Sequence, residues 1–293
     1  MKIKKTVGDH VFNAITYIVM TFVLVVTLYP FWYVVVGSVS SMAHLIKNGF
    51  VLWPDGLHLD AYEQVFRNDL VPVAYRNTLI VTLGGTALSM LLTILGGFVL
   101  SLKKLPGRVF FTFFFVFTMM FGGGLVPTFL VVSSLGMIDT LWALIIPGAI
   151  STYNMILMRT YFSSIPDALR ESATIDGAND FVTLTRIMLP LSKSMLATIA
   201  LFYAVGRWNA VTDGMIYINE PEKYILQVRL KNIILNAQGL DELMAEGANM
   251  EFSLNTTQMR CATLMFSLIP VLIVYPFLQK YFVKGVMIGS VKG

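Results

Sequence analysis

The chain has 293 residues, 56% of them hydrophobic and only 13% charged, with a formal net charge of +4. A soluble domain carries about 25% charged residues, so this composition excludes an ordinary water-soluble fold. A mean hydropathy of +0.72, with the apolar residues gathered in long runs, makes the bilayer the better solvent.

A helix crosses a bilayer in roughly 20 mainly apolar residues. The runs predict six spans, over 11–37, 78–102, 109–132, 141–162, 195–211 and 261–283, so that 1–293 reads as a single all-α transmembrane domain. Lys2, Lys4 and Lys5 ahead of the first run imitate a signal peptide. That run exceeds the usual apolar region of about 7–15 residues, and the reading is an uncleaved first span. The 42–77 connection carries a turn signal, Trp53-Pro54-Asp55-Gly56. Next comes the tight 103–108 turn with Pro106-Gly107, then a longer connection over 163–194, and the longest over 213–260. Lys103, Lys104, Arg108, Arg170, Arg186, Lys193, Lys280 and Lys284 fall on one side of the implied membrane. Asp55, Asp60, Glu63, Glu220, Asp241 and Glu246 fall on the other. Short basic loops stay in the cytoplasm, which places both termini and the 163–194 loop inside. The basic excess is therefore a topology signal, and no nucleic-acid partner is expected.

Inside the spans, Pro30, Pro147, Pro270 and Pro276 should bend or break their helices. Gly84-Gly85, Ala87, Ser89 and Gly96-Gly97 put small residues at three- and four-residue spacing, where helix backbones can approach closely. They form either a seam beside a translocation path or ordinary bundle packing.

The 163–190 loop reads as two short helices joined by a turn. Ser164 is placed to cap the first, with Asp167 near its positive end. Gly177 can take the left-handed conformation that ends it. Asp180 is placed to cap the second, and Pro190 to terminate it. Glu171-Ser172-Ala173, Gly177, Ile187, Leu189 and Pro190 stand at the spacing of the "EAA" motif of ABC importer transmembrane subunits, which this loop resembles. Asp176-Gly177-Ala178 is also the family's common form, and Ser172 replaces the usual Ala. The resemblance implies a type I ABC importer permease fold whose cytoplasmic coupling helix docks in a separate ATPase. Glu171 would be the charged contact and Asp176 would stabilise the turn at Gly177. The 121–129 segment FGGGLVPTF, the 135–140 segment LGMIDT and the 224–227 segment YILQ are similar to the carbohydrate-uptake branch, of the LplC/YtcP type and related to MalG.

That branch implies several partners: a homologous second permease subunit, two ATPase subunits, an extracytoplasmic solute-binding protein and an oligosaccharide, in some cases acidic. The setting is a bacterial cytoplasmic membrane, multi-pass and in contact with membrane lipid. Its binding-protein contact is expected within 236–249. Arg207-Trp208-Asn209 near the outer end of the fifth span offers a charge for a carboxylate, a ring for a sugar face and an amide for hydroxyls. Arg and Trp near an interface are equally the usual membrane anchors. No phosphate-cradling G-x-x-x-x-G-K-[ST] occurs, so ATP and Mg are expected on the partner subunits, with no catalytic role here. The lone Cys261 and scattered His10, His44 and His58 offer no metal cage. A secondary active transporter is the alternative; it would need ionisable side chains buried in the spans, and these are almost free of them. An intramembrane enzyme would need facing catalytic groups, and no such pair stands out.

Overall fold

A computed structural model describes residues 7–41, 44–45, 51–67, 70–245, 257–273 and 276, with the backbone alone for 7 and 236–245. Among them the regular structure is entirely helical. The helices are α1 (Val7–Val39), α2 (Asp60–Arg67), α3 (Leu70–Ser101), α4 (Arg108–Met120), α5 (Leu125–Ser134), α6 (Trp142–Ile145), α7 (Thr152–Ser164), α8 (Asp167–Ile175), α9 (Asp180–Leu191), α10 (Lys193–Trp208), α11 (Val211–Tyr217), α12 (Leu226–Ala245) and α13 (Thr257–Ile273).

The chain packs as two units. In the first, formed by 1–68 and 230–269, α1 runs unbroken through Pro30. Trp32 Nε1 donates to Leu52 O at 2.7 Å, and its ring meets Trp53 edge-on at 5.8 Å. The Trp53–Gly56 turn is anchored by Asp55, whose carboxylate accepts from the Ser41 N–H and hydroxyl. The Ser41 bonds hold the Asp55 carboxyl below its usual range. Gly37 lets α1 approach α13, since a Cβ there would lie 2.8 Å from Cys261 Sγ.

In the second unit, 69–229 and 270–293, α3 is the central element, packed by α7 and α10. It starts at Leu70, eight residues before the expected span. Pro72 permits this, because a helix's first turn needs no N–H from it. The 109–132 run is not one rod: α4 and α5 meet at 111° across Phe121–Gly124, where Gly124 has φ +80°. The 141–162 run is likewise interrupted, by Pro147 between α6 and α7. Most of the small residues of α3 are spent on contact. A Cβ at Gly97 would sit 3.0 Å from Met158 Cβ and 3.2 Å from the Arg159 N, whereas Gly84 faces open space.

Two cores result. One gathers Phe98, Met158, Phe162, Leu184, Met188, Ile199 and Tyr203. The other gathers Val81, Val132, Ala143–Ile145, Tyr217, Ile218, Ile225 and Val228. Outside them many large apolar side chains are exposed. Helix α4, eight of whose thirteen residues are Phe or aliphatic, buries no residue at all. Such a face is stable only against hydrocarbon or another apolar surface.

Candidate functional site

The 163–194 loop folds as two helical stretches joined by a turn, as its sequence suggests, with different caps. Ser164 does not cap α8; it closes α7, its hydroxyl donating to Tyr161 O. Pro166 occupies the N-cap of α8 and supplies no side-chain acceptor. The Gly177 expectation holds: at φ +82° it lets the Ala178 N–H reach Ala173 O at 2.8 Å and its own N–H reach Thr174 O at 3.1 Å. This double closure satisfies the last carbonyls of α8. Asp176, just before it, closes on Ser172 O through its backbone. Asn179, not Asp180, caps α9, its Oδ1 accepting from Val182 N at 2.8 Å. Asp180 is instead the first helical residue.

Pro190 explains the next irregularity. Its ring would collide with the Arg186 carbonyl in a regular α turn. The chain responds with a π turn over Leu184–Met188, closed by Leu189 N on Leu184 O. Leu184 and Met188 drop into the core, and Leu189 packs beside them. Ile187 is half-buried and Pro190 exposed. After Leu191 the chain turns 85° into α10. Pro190 thus stands one residue before the end it was expected to mark.

One residue overlooked in the sequence ties α8 to the bundle. Arg170 donates to Ser101 Oγ and Phe162 O, both at 3.0 Å, and its guanidinium lies 5.7 Å from the Phe98 ring centroid. It joins α8 to the ends of α3 and α7 at once. Lys103 adds an ion pair with Asp167 and holds that carboxyl below its usual range; being largely exposed, the pair contributes little to stability. Ala173 is buried, whereas Glu171 and Ser172 are exposed. The Ser172 hydroxyl turns back to Ala168 O at 2.7 Å, so the residue presents a surface close to that of Ala. Three large apolar side chains nevertheless point to solvent around this loop: Leu169 at 43%, Ile175 at 85% and Phe181 at 69% exposure.

The second site is a cavity of about 300 Å³ between α6, α7 and α10, lined by Pro147, Asn154, Tyr203, Arg207 and Asp213 among others. Arg207 is buried and engaged through both terminal nitrogens, while its Nε lacks a partner among the described residues. It donates to Leu144 O and Ser89 Oγ at 2.8 Å, to Ile145 O at 3.1 Å and to Gly148 O at 3.2 Å. These carbonyls are the ones that the break at Pro147 strands without helical partners. Gly85 makes room, since a Cβ there would lie 2.5 Å from Arg207 Nε. Among the described residues no carboxylate pairs with Arg207. Trp208 is buried edge-on against Tyr75 at 5.9 Å, its indole N–H lacking a partner among the described residues. Asn209 is exposed and donates to Val205 O. The anchor reading for Arg207 and Trp208 fails on burial, because neither reaches the surface.

The three remaining sequence signatures converge on the second core. FGGG is the α4–α5 bend. Asp139, at φ +60°, accepts from Asn219 N at 2.7 Å and Glu220 N at 3.0 Å. Tyr224-Ile-Leu-Gln follows the segment held by Asn77 Nδ2 through Glu222 O and Tyr224 O, and Leu226 N donates to Thr78 Oγ1 at 2.7 Å. The 236–249 contact expected for a binding protein falls on side chains outside the described ones.

Described residues that are helical throughout their regular structure, with exposed apolar faces, an arginine-lined cavity at a broken helix and a braced helical loop, define a membrane transport subunit of the permease class. Residues 85–288 match the family described as "Binding-protein-dependent transport system inner membrane component", and the chain belongs to it. It is 40% identical to the polygalacturonan/rhamnogalacturonan transport system permease protein YtcP of Bacillus subtilis (strain 168), over 97% of this chain and 99% of that one. It is 38% identical to the protein LplC of the same organism, over 98% and 97%. A solved bacterial ABC transporter involved in the import of the acidic polysaccharide alginate contains a chain that matches with TM-score 0.84 at 34% identity, covering 96% of this chain and 100% of that one. The fold is therefore that of a type I ABC permease, a non-catalytic membrane subunit that works in general with a partner permease, an ATPase and a binding protein. Family membership sets aside the secondary-transporter alternative.

Proposed function

We propose that this chain is one of two homologous permease subunits of an ATP-driven importer of acidic oligosaccharides, with six spans forming a single transmembrane domain and both termini cytoplasmic. In this reading the broken pairs α4–α5 and α6–α7 each serve as one span. The 163–194 loop is the cytoplasmic coupling element, docked in one of two ATPase subunits that hold ATP and Mg. Glu171 and Ser172 face the ATPase, and Ala173 seats α8 on its own bundle. Asp176 and Gly177 form the turn. Ile187, Leu189 and Pro190 carry the π turn that joins the loop to α10.

The observation that carries this reading is the combination of Leu169, Ile175 and Phe181 held exposed on a braced helical loop. Exposed apolar groups on a rigid polar segment mark a docking face. Arg170 gives that face a stiff link to α3 and α7, which is what transmission of a push requires.

For the substrate, Arg207 brings a positive charge to the cavity, which Asp213 also lines without forming an ion pair with it. A field in a low-dielectric site acts on an anionic sugar without direct contact. Asn209, exposed at the end of α10, offers an amide to sugar hydroxyls, and the buried Trp208 packs behind it. YtcP, named for polygalacturonan/rhamnogalacturonan transport, and the transporter involved in import of the acidic polysaccharide alginate support this class.

The test is a Glu171→Cys variant, otherwise cysteine-free through Cys261→Ser, with a short bifunctional crosslinker in intact membranes. Capture of an ATPase chain, lost when the cysteine is moved to the buried Ala173, is the expected result. No capture at position 171 in a transporter that still imports would overturn the coupling assignment.

A further inference from the structure

Arg108 and Arg159 have no part in the coupling loop or the Arg207 cavity, yet they share a cavity of about 450 Å³. Arg108, Val109, Thr112, Phe113 and Val116 line it from one face of α4, and Arg159 enters from α7. The two guanidiniums are close enough to repel one another. Arg108 is fixed in place by its Nε bond to Leu100 O at 3.0 Å. Among the described residues no carboxylate pairs with either arginine. Thr112 Oγ1 is buried beside them without a hydrogen-bond partner among the described residues. Two cations and an orphan hydroxyl brought together in an otherwise apolar pocket are costly unless an anion joins them.

The walls say which kind of anion. Val109 is 84% and Phe113 66% exposed, on a helix that buries no residue. Arg159 lies five residues before the end of α7, and Arg108 begins α4, so both stand near the ends of apolar helices. A free phosphate would leave the apolar wall bare. An amphiphile with a phosphate at the arginines and an acyl chain along Phe113 and Val116 satisfies both.

We propose that Arg108, Arg159 and Thr112 bind the phosphate headgroup of an anionic membrane lipid. The proposal rests on the membrane topology above, which puts this end of α4 and α7 at the cytoplasmic leaflet. Basic pockets between helices on that side are suited to acidic headgroups.

Native mass spectrometry of the delipidated, assembled transporter tests it, with phosphatidylglycerol, phosphatidylcholine and inorganic phosphate as probes. Phosphatidylglycerol should bind in preference to phosphatidylcholine. Its affinity should fall roughly fivefold in Arg108→Gln or Arg159→Gln and about thirtyfold in the pair, while Arg108→Lys/Arg159→Lys retains most of it. Undiminished phosphatidylglycerol binding in the double Gln variant overturns the proposal. So does displacement of the lipid by millimolar inorganic phosphate, which identifies a small-anion site. So, too, does loss of the partner permease from the double variant with lipid binding intact, which identifies a protein interface. Crosslinking at position 171 runs alongside: its survival in every variant separates failure of the lipid site from failure of the permease reading.

Discussion

Gly85→Ala puts the description of the Arg207 cavity at risk in a single methyl group. The added Cβ would lie 2.5 Å from Arg207 Nε and 2.6 Å from both Cδ and Cζ, where ordinary contact begins at 3.4 Å. The guanidinium must retreat by about 0.9 Å, yet four acceptors hold it at 2.8–3.2 Å. A shift of that size carries at least the Ser89 bond, which comes from the same helix as Gly85, beyond hydrogen-bonding range. Bonds to a charged group contribute about 1.5–3 kcal/mol each, so losing one or two amounts to about 3 kcal/mol after partial relaxation. For a chain of this size that corresponds to a fall of roughly 6–12 °C in the unfolding midpoint, read on the purified transporter in detergent. The control is adjacent: Gly84→Ala meets open space and should stay within about 1 °C of the parent. Gly85→Ala should also add little on top of Arg207→Met, because the clash and the bonds vanish with the guanidinium. Equal losses at Gly84 and Gly85, or additive effects of Gly85→Ala and Arg207→Met, would refute the reasoning.

Gly177→Ala meets no atom within 4 Å but must adopt φ +82°. It should cost about 1 kcal/mol, localised to the end of α8, and Gly177→Asn should cost less. Stimulation of ATPase activity by a loaded binding protein is the readout, with Asn expected to lie between Gly and Ala. For Asp139 the sign of the pH effect follows from its depressed carboxyl, held down by the Glu220 and Asn219 N–H groups. Its contribution is complete above the ordinary carboxylate pKa of about 3.9 and is lost as pH falls through the lower folded value. Asp139→Asn, which tolerates the positive φ, should remove that acid limb from the stability profile. An unchanged limb in the Asn variant would show the acid sensitivity to lie elsewhere.

Much of this was legible from residue order, and the misses have physical causes. Apolar run length located α1, α3, α7 and α10, because a lipid-facing helix advertises itself on every side. It could not show that 109–132 bends by 111°, since the FGGG interruption is itself apolar enough to pass for span. Gly177 was readable because a left-handed helix end needs a residue without a Cβ. Cap identity was not, because Ser164 and Asn179 compete with neighbours of equal capping ability and the choice depends on where α7 stops. Arg207 stood out as a charge in an apolar run, yet its partners are backbone carbonyls freed by Pro147, some 60 positions away. Arg170 looked like one more surface cation. Only the fold brings Phe98, Ser101 and Phe162 beneath it.

The wide turn at 184–188 sets more than a local contour. It holds one residue beyond what an α turn would, and each residue advances a helix by about 100°. That extra residue fixes the rotational phase between the braced loop and α10, and hence the direction in which the side chain at 207 emerges. Shortening the turn by one position would leave composition and hydropathy almost untouched, yet it would swing the guanidinium away from the carbonyls waiting for it.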